Sequence, residues 1–327
     1  MSPRRVPLAA LLACAVILAA CGGSDTGSQA AGTDEGAAVV ETVESVGTVA
    51  SGPEGSIAAL LADDPAPDSA LIWGTSQYTV GENRLSFLIV DANGELVDVP
   101  SAEVRVAAGG PDAIPDLDAT AQNLQVGAPQ ATSNQDDFDV PFVYVANLQL
   151  DEPGTYTLLV EPEGKEIQAY GQIEVAAQSD VPAVGSPAVP SDNPTVEDDF
   201  PAKITTATPP DVDMLQYSVK DSLEAGVSFV VTFATPKFCV SRVCGPVVDI
   251  VDAVRKKFQD SDVRFIHIEV FEANDPERGY NQWMQEWHLP TEPWTFLVDG
   301  TGTIRDRFEG LITAGELEQA VQEELVS

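Results

Sequence analysis

The 327-residue sequence predicts two folded units of different class: an all-β unit over residues 67–177, then an α/β unit over residues 204–327. Three observations carry this. Short apolar or alternating runs, separated by turn residues, fill the first stretch, as strands require. In the second stretch helical and strand periods alternate. A cysteine pair, Cys239 and Cys244, stands at one change from strand to helix, and the chain holds only four cysteines.

In chain order, Arg4 and Arg5 precede an apolar run from Val6 to Ala20. At about fifteen residues it is short for a membrane span. Its end, Leu18-Ala19-Ala20-Cys21-Gly22-Gly23-Ser24, resembles the lipobox of bacterial lipoproteins. The resemblance implies a signal peptide over 1–20, cleavage before Cys21 and lipid on its sulfur. It places the mature protein on the extracytoplasmic face of the cell membrane, anchored rather than spanning. That compartment permits disulfides. Cys14 leaves with the signal peptide, so Cys239 and Cys244 have only each other. Residues 21–66 are rich in small and acidic residues and read as a disordered tether, with a weak helical patch at Ser56–Leu61.

The β unit shows strand patterns at Ala70–Trp73, Arg84–Asp91, Ala102–Ala107, Phe142–Leu150, Gly154–Val160 and Gln168–Val175. Asp91-Ala92-Asn93-Gly94 and Glu152-Pro153-Gly154 supply turns. Number and length of strands suit one immunoglobulin-like sandwich. Gly81–Arg84 and Pro153–Tyr156, each leading into a strand, resemble Ig-like modules of bacterial extracytoplasmic proteins. Residues 111–140 read as a polar, acidic insertion, with Asp136, Asp137 and Asp139 but no EF-hand spacing. Without cysteine or histidine, the unit reads as a spacer or docking module.

Residues 178–203 carry several prolines and read as a second linker. Beyond them, helical spacing over 211–225 leads to a buried strand at 227–234. A helix follows at 246–258, a strand at 263–270 and a helix at 277–287. Strands at 294–299 and 303–308 flank Gly300-Thr301-Gly302. The last helix, 313–325, has Thr313 as N-cap and Glu316 three residues on, a capping box.

This order, with Phe238 before Cys239, Gly245-Pro246 opening the next helix and Pro293-Trp294-Thr295-Phe296-Leu297-Val298-Asp299 starting a strand, resembles the thioredoxin superfamily. Phe308-Glu309-Gly310 is similar to the end of its membrane-tethered, reducing branch. The resemblance implies an extracytoplasmic thiol–disulfide oxidoreductase working on protein thiols and disulfides of the cell envelope, without cofactor or metal. Cys239 would be the nucleophile and Cys244 its resolving partner. Pro293 would be a cis proline lining the substrate groove with Phe238 and Trp294.

The motif departs from the family, since four residues separate the cysteines rather than two. In a regular helix, Cα atoms at i and i+5 lie roughly 8–9 Å apart, and disulfides rarely exceed about 7 Å. A regular helix beginning near Pro246 leaves 239–244 as a turn able to close. Lys237 and Arg242 can favour a Cys239 thiolate. Aligning Cys244-Gly245-Pro246-Val247 on the family motif is the other option. A stabilising disulfide on a redox-inactive interaction protein is the bland alternative. A copper-handling role like that of Sco-type proteins would need a histidine. His267 alternates with Phe265 and Glu269 on a strand, which suits a structural role, and His288 ends a helix. A peroxiredoxin is disfavoured, because Thr232 and Pro236 stand where that family's proline and hydroxyl residue belong.

The formal net charge is −36. Between Cys21 and Lys203 the only basic residues are Arg84, Arg105, Lys165 and Lys203. Such a surface repels nucleic acid and anionic lipid headgroups.

Overall fold

The computed structural model describes residues 52–63, 69–127, 140–239 and 243–326. The signal-peptide and lipobox expectations, Cys21, Asp136, Asp137, Asp139 and Arg242 lie outside the described residues.

Helix α1 (Ile57–Asp63) precedes eight strands: β1 (Ala70–Trp73), β2 (Tyr78–Thr79), β3 (Gly81–Val90), β4 (Ser101–Ala108), β5 (Leu117–Gln125), β6 (Phe142–Leu150), β7 (Gly154–Pro162) and β8 (Ala169–Ala176). They form one sheet in the order β1-β3-β6-β5-β4-β7-β8-β2. Neighbours pair antiparallel except β2 and β8, which run parallel. Leu85, Phe87 and Ile89 of β3, Val104 and Val106 of β4 and Leu158 and Val160 of β7 alternate into one core, as a two-residue period dictates. The Tyr156 hydroxyl, early on β7, donates to the Glu152 carbonyl at 2.9 Å.

Two expectations change here. Within the expected acidic insertion, Leu117–Gln125 is strand β5, in the middle of the sheet between β4 and β6. Its inward residues include Ala119 and Ala121, too small for a strong hydrophobic signal, and its ladder hydrogen bonds decide its state. The helical patch of the tether is α1, docked through Ile57 and Leu61 on Ala107 and Leu159.

The segment expected as a second linker packs closely. Val181 and Ala188 are buried in the core of the second sheet. Arg307 Nη1 donates to the Val181 and Pro182 carbonyls at 3.1 and 3.0 Å, and Pro187 bridges Thr303. Prolines lack a donor but keep their carbonyls, so such a strap is held by donors from the unit beneath it.

The second unit follows as α2 (Pro201–Ile204), α3 (Val219–Ala225), β9 (Phe229–Phe233), α4 (Cys244–Lys257), β10 (Arg264–Ile268), α5 (Gln282–Glu286), β11 (Trp294–Val298), β12 (Ile304–Glu309) and α6 (Ala314–Glu324). Its sheet runs β10-β9-β11-β12. Strand β10 is parallel to β9, and β11 is antiparallel to β9 and β12. This is a thioredoxin-like arrangement, with the parallel β9-α4-β10 crossover and the antiparallel β11–β12 hairpin on one sheet. The expected helix over 211–225 is broken: a 3₁₀ turn at Val212–Leu215 precedes α3, whose start is fixed by a capping box between Ser218 and Asp221. Of the expected helix 277–287 only α5 is α-helical, because Gly279 has φ 76° and Asn281 caps Met284. The Thr313–Glu316 capping box opens α6.

Strand β9 is buried on both faces. Val230 faces the core that holds α4 and α6; Phe229, Val231 and Phe233 face the core around Trp287 and Phe296. Each such side chain contributes roughly 1.5–3 kcal/mol, so the strand that carries the cysteine loop is firmly held.

The two sheets meet at the segment after β12. Arg84 Nε pairs with Glu316 at 2.8 Å and its Nη2 donates to the Leu311 carbonyl at 3.0 Å. Glu309 accepts the Ser76 and Gln77 N–H groups at 3.1 and 2.8 Å. The Ala314 N–H donates to the Val126 carbonyl at 2.9 Å. At Gly310, with φ 72°, a Cβ would fall 1.8 Å from the Gly74 carbonyl oxygen.

Candidate functional site

Strand β9 delivers the chain into Ala234–Cys239, and α4 starts at Cys244, two residues earlier than the sequence suggests. Val243 is the N-cap and uses no side-chain cap. Pro246 is thus the third helical residue, where its missing N–H is one of the groups with no intrahelical partner anyway. The Cys244 N–H donates to Cys239 Sγ at 3.3 Å. A donor in the first turn of a helix is a contact that stabilises a thiolate. The two sulfurs are not bonded to each other. Cys239 is 3% exposed and Cys244 is fully buried.

The Glu292–Pro293 peptide is cis, and Pro293 leads directly into β11. This brings in a residue that sequence reasoning missed. One Glu292 carboxylate oxygen and the sulfurs of Cys239 and Cys244 all lie within 4.8 Å of one another. The signal was present as an acid immediately before the proline expected to face the cysteines, but no local pattern marked it. Glu292 Oε2 is buried without a hydrogen-bond partner. Burial, then the charges of Cys239 and Glu269, push the Glu292 carboxyl up to about 8. Burial, the hydrogen bond and charge of Cys239, and the charge of Glu292 push the Cys244 thiol well above its usual range. In the reduced protein the Glu292 carboxyl and the Cys244 thiol therefore share one desolvated space in which burial favours their protonated forms.

Aromatic residues border this space. Phe238 is half-buried, stands edge-on to Phe271 at 6.4 Å, and has Lys237 Nζ 5.0 Å above its ring. Phe271 stacks on Tyr280 at 5.7 Å. The Tyr280 hydroxyl donates to the Pro290 carbonyl at 3.3 Å, and burial with the nearby Glu292 charge pushes it up to about 12.

Trp294 does not line an open groove. It is buried on β11, stacked on Phe296 at 5.8 Å, and its Nε1 donates to Thr291 at 3.1 Å. As the first residue of a strand buried on both faces, it is drawn into the core beneath the site. His267 is also away from the cysteines. Its Nε2 donates to the Ala234 carbonyl at 2.9 Å, and Nδ1 lies 3.4 Å from the Thr205 hydroxyl. Both ring nitrogens are engaged, and burial pulls its pKa down. His288 is exposed, with φ 52°. The sequence leads us to expect no metal site; among the described residues Cys239, Cys244 and Glu292 form a group able to hold a cation.

No family model and no curated protein matches the chain. Among solved structures it is similar to StoA from Bacillus subtilis, at 16% identity over 29% of this chain and 83% of that one, with a TM-score of 0.24. It is similar to a thioredoxin-family thiol:disulfide interchange protein from Chlorobium tepidum TLS, at 16% identity over 45% of this chain and 98% of that one, with a TM-score of 0.25. A third neighbour is BslA, a bacterial hydrophobin, at 16% identity over 33% of this chain and 98% of that one, with a TM-score of 0.18. Likeness at these scores carries no weight for function. The thioredoxin-like arrangement is read from the strand order and directions of the second sheet.

Proposed function

We propose that the chain is an extracytoplasmic thiol–disulfide oxidoreductase, held at the membrane by lipid on Cys21 and working on protein partners in the cell envelope. The observation that carries this reading is the pairing of Cys239 and Cys244 across the β9–α4 junction, with the Cys244 N–H on Cys239 Sγ and the segment leading into β11 alongside. The Cys239 thiolate attacks a partner disulfide; one sulfur of the partner leaves as a thiolate and a mixed disulfide forms. Cys244 then loses its proton and attacks Cys239 Sγ. The second partner thiol is released, and the Cys239–Cys244 disulfide forms; the reverse sequence oxidises a dithiol. Phe238 and Pro293 border the partner's approach. The engagement of both His267 ring nitrogens counts against a Sco-like copper site.

In this reading residues 67–177 are an Ig-like docking module. The order in which its strands pair and the Tyr156 hydroxyl bonded back to Glu152 support it, since a tyrosine corner of this kind recurs in such sandwiches.

The test is a trap. With Cys244→Ser, Cys239 should accumulate mixed disulfides with envelope proteins, and with Cys239→Ser trapping should disappear. Trapping only by Cys239→Ser would make Cys244 the nucleophile. Trapping by neither, with both variants destabilised, would leave a structural disulfide. Cys21→Ser should release the chain from membranes; a variant still membrane-bound and normally cleaved would overturn the lipid anchor.

A further inference from the structure

We propose that the reduced chain binds one borderline divalent cation, with zinc as the best match, through Cys239 Sγ, Cys244 Sγ and a Glu292 carboxylate oxygen, leaving a fourth position open. The proposal needs two thiols and not exchange activity. It therefore stands or falls separately from the oxidoreductase reading.

Four observations carry it. The first is distance. Zinc takes sulfur at about 2.3 Å and carboxylate oxygen at about 2.0–2.2 Å in a tetrahedron. That geometry sets sulfur–sulfur and sulfur–oxygen separations near 3.5–4 Å. The three ligand atoms already lie within 4.8 Å of one another, so a contraction of about 1 Å closes the site.

The second is spacing. Four residues between the cysteines is outside the two-residue motif of the exchange family, yet within the range common between zinc-binding cysteines.

The third is the buried Glu292 Oε2 with no hydrogen-bond partner. Such an atom costs folding free energy unless something meets it. A cation held between the Glu292 carboxylate and the sulfurs would place a positive charge beside that buried carboxylate, while holding both thiols as thiolates.

The fourth is donor chemistry. Thiolate sulfur turns away magnesium and calcium, and a carboxylate oxygen is a poor third ligand for copper(I). Imidazole, which would favour copper(II), is unavailable at His267. Two sulfurs and one oxygen at a tetrahedral site suit zinc. The Cys244 N–H on Cys239 Sγ supplies an outer contact that orients one ligand.

The experiment uses the full chain reduced with a phosphine and titrated with cobalt(II), then zinc. One equivalent of cobalt should give sulfur-to-cobalt charge-transfer absorption and the intense visible bands of a tetrahedral ion. Zinc should displace both. The chain with its Cys239–Cys244 disulfide formed should give neither. Glu292→Gln, folded by circular dichroism, should bind zinc at least about 10-fold more weakly in competition with a chromogenic chelator, and Glu292→Asp should recover part of the loss. Absence of the cobalt signal in the reduced native chain would overturn the proposal, as would zinc binding by Glu292→Gln as tight as native. The comparison of reduced and oxidised native chain decides even if a variant fails to fold.

Discussion

Two buried polar side chains, Tyr144 in the eight-stranded sheet and Glu292 beside the four-stranded one, are treated in opposite ways. In the eight-stranded sheet the Tyr144 hydroxyl donates to the Val97 carbonyl at 2.8 Å and accepts the Val99 N–H at 3.0 Å. The ring stacks on Phe87 at 5.6 Å, so the polar end and the apolar body are both used. Just before β11 the Glu292 carboxylate lies beside two sulfurs, and its buried Oε2 has no hydrogen-bond partner. A satisfied polar group specifies a fold. An unsatisfied one gives up stability, and folds tolerate that where chemistry needs it.

The largest expected effect tests Glu292. Its carboxyl sits near 8 when folded, against an ordinary value of 4.5. Between those values the folded state binds a proton that the unfolded state has released, so stability falls as pH rises from about 5 to 8. The loss over that window is on the order of 3–5 kcal/mol. Denaturant titrations of the reduced, metal-free chain at pH 5, 6.5 and 8 should show this slope, and Glu292→Gln should remove it. Equal slopes in the two proteins would break the contrast between Tyr144 and Glu292.

Tyr144→Phe comes next. It strands a buried carbonyl and N–H and should cost roughly 1–3 kcal/mol by denaturant titration, equally at pH 5 and pH 8. A loss that changed across that range would mean that the hydroxyl is more than scaffold.

The smallest effect sharpens the comparison. Thr313 is a scaffold polar group within the second unit, accepting the Glu316 N–H at 3.2 Å. Thr313→Ala should lower the melting temperature by the equivalent of about 1 kcal/mol and leave partner trapping unchanged. If trapping fell as well, the division would run between the two sheets rather than between site and scaffold.

How much of this is legible in the chain depends on the range of the signal. The α6 start is written in Thr313 and Glu316, three residues apart, and β9 in a run of apolar residues. The proximity of Cys239 and Cys244 is likewise local, because a strand end and a helix start are both readable nearby. Strand β5 is not, since its pairing with β4 and β6 is held by backbone groups and its inward side chains are small. Docking of α1 and of the proline-rich strap depends on distant partners, Leu159 for one and Arg307 for the other. Glu292 meets the cysteines only because β11 lies beside β9, which no local pattern announces. The irregular segment before α5 turns on the backbone freedom of Gly279.

The near contact of Gly74 with Gly310 bears on where the chain can be cut. Backbone meets backbone there, and a side chain at Gly310 would have no room. Leu311, Ile312 and Leu317, next along the chain, belong to the same apolar cluster as Leu85 and Phe87 of the β unit. A fragment trimmed to residues 204–327 would keep both cysteines but present that cluster to water, and Arg84 would no longer meet Glu316. Such a fragment invites self-association, and a potential or metal affinity measured on it would describe a different molecule. The smallest piece on which the proposed redox and metal chemistry can be tested without that exposure begins before β1, so the β unit is part of the reagent.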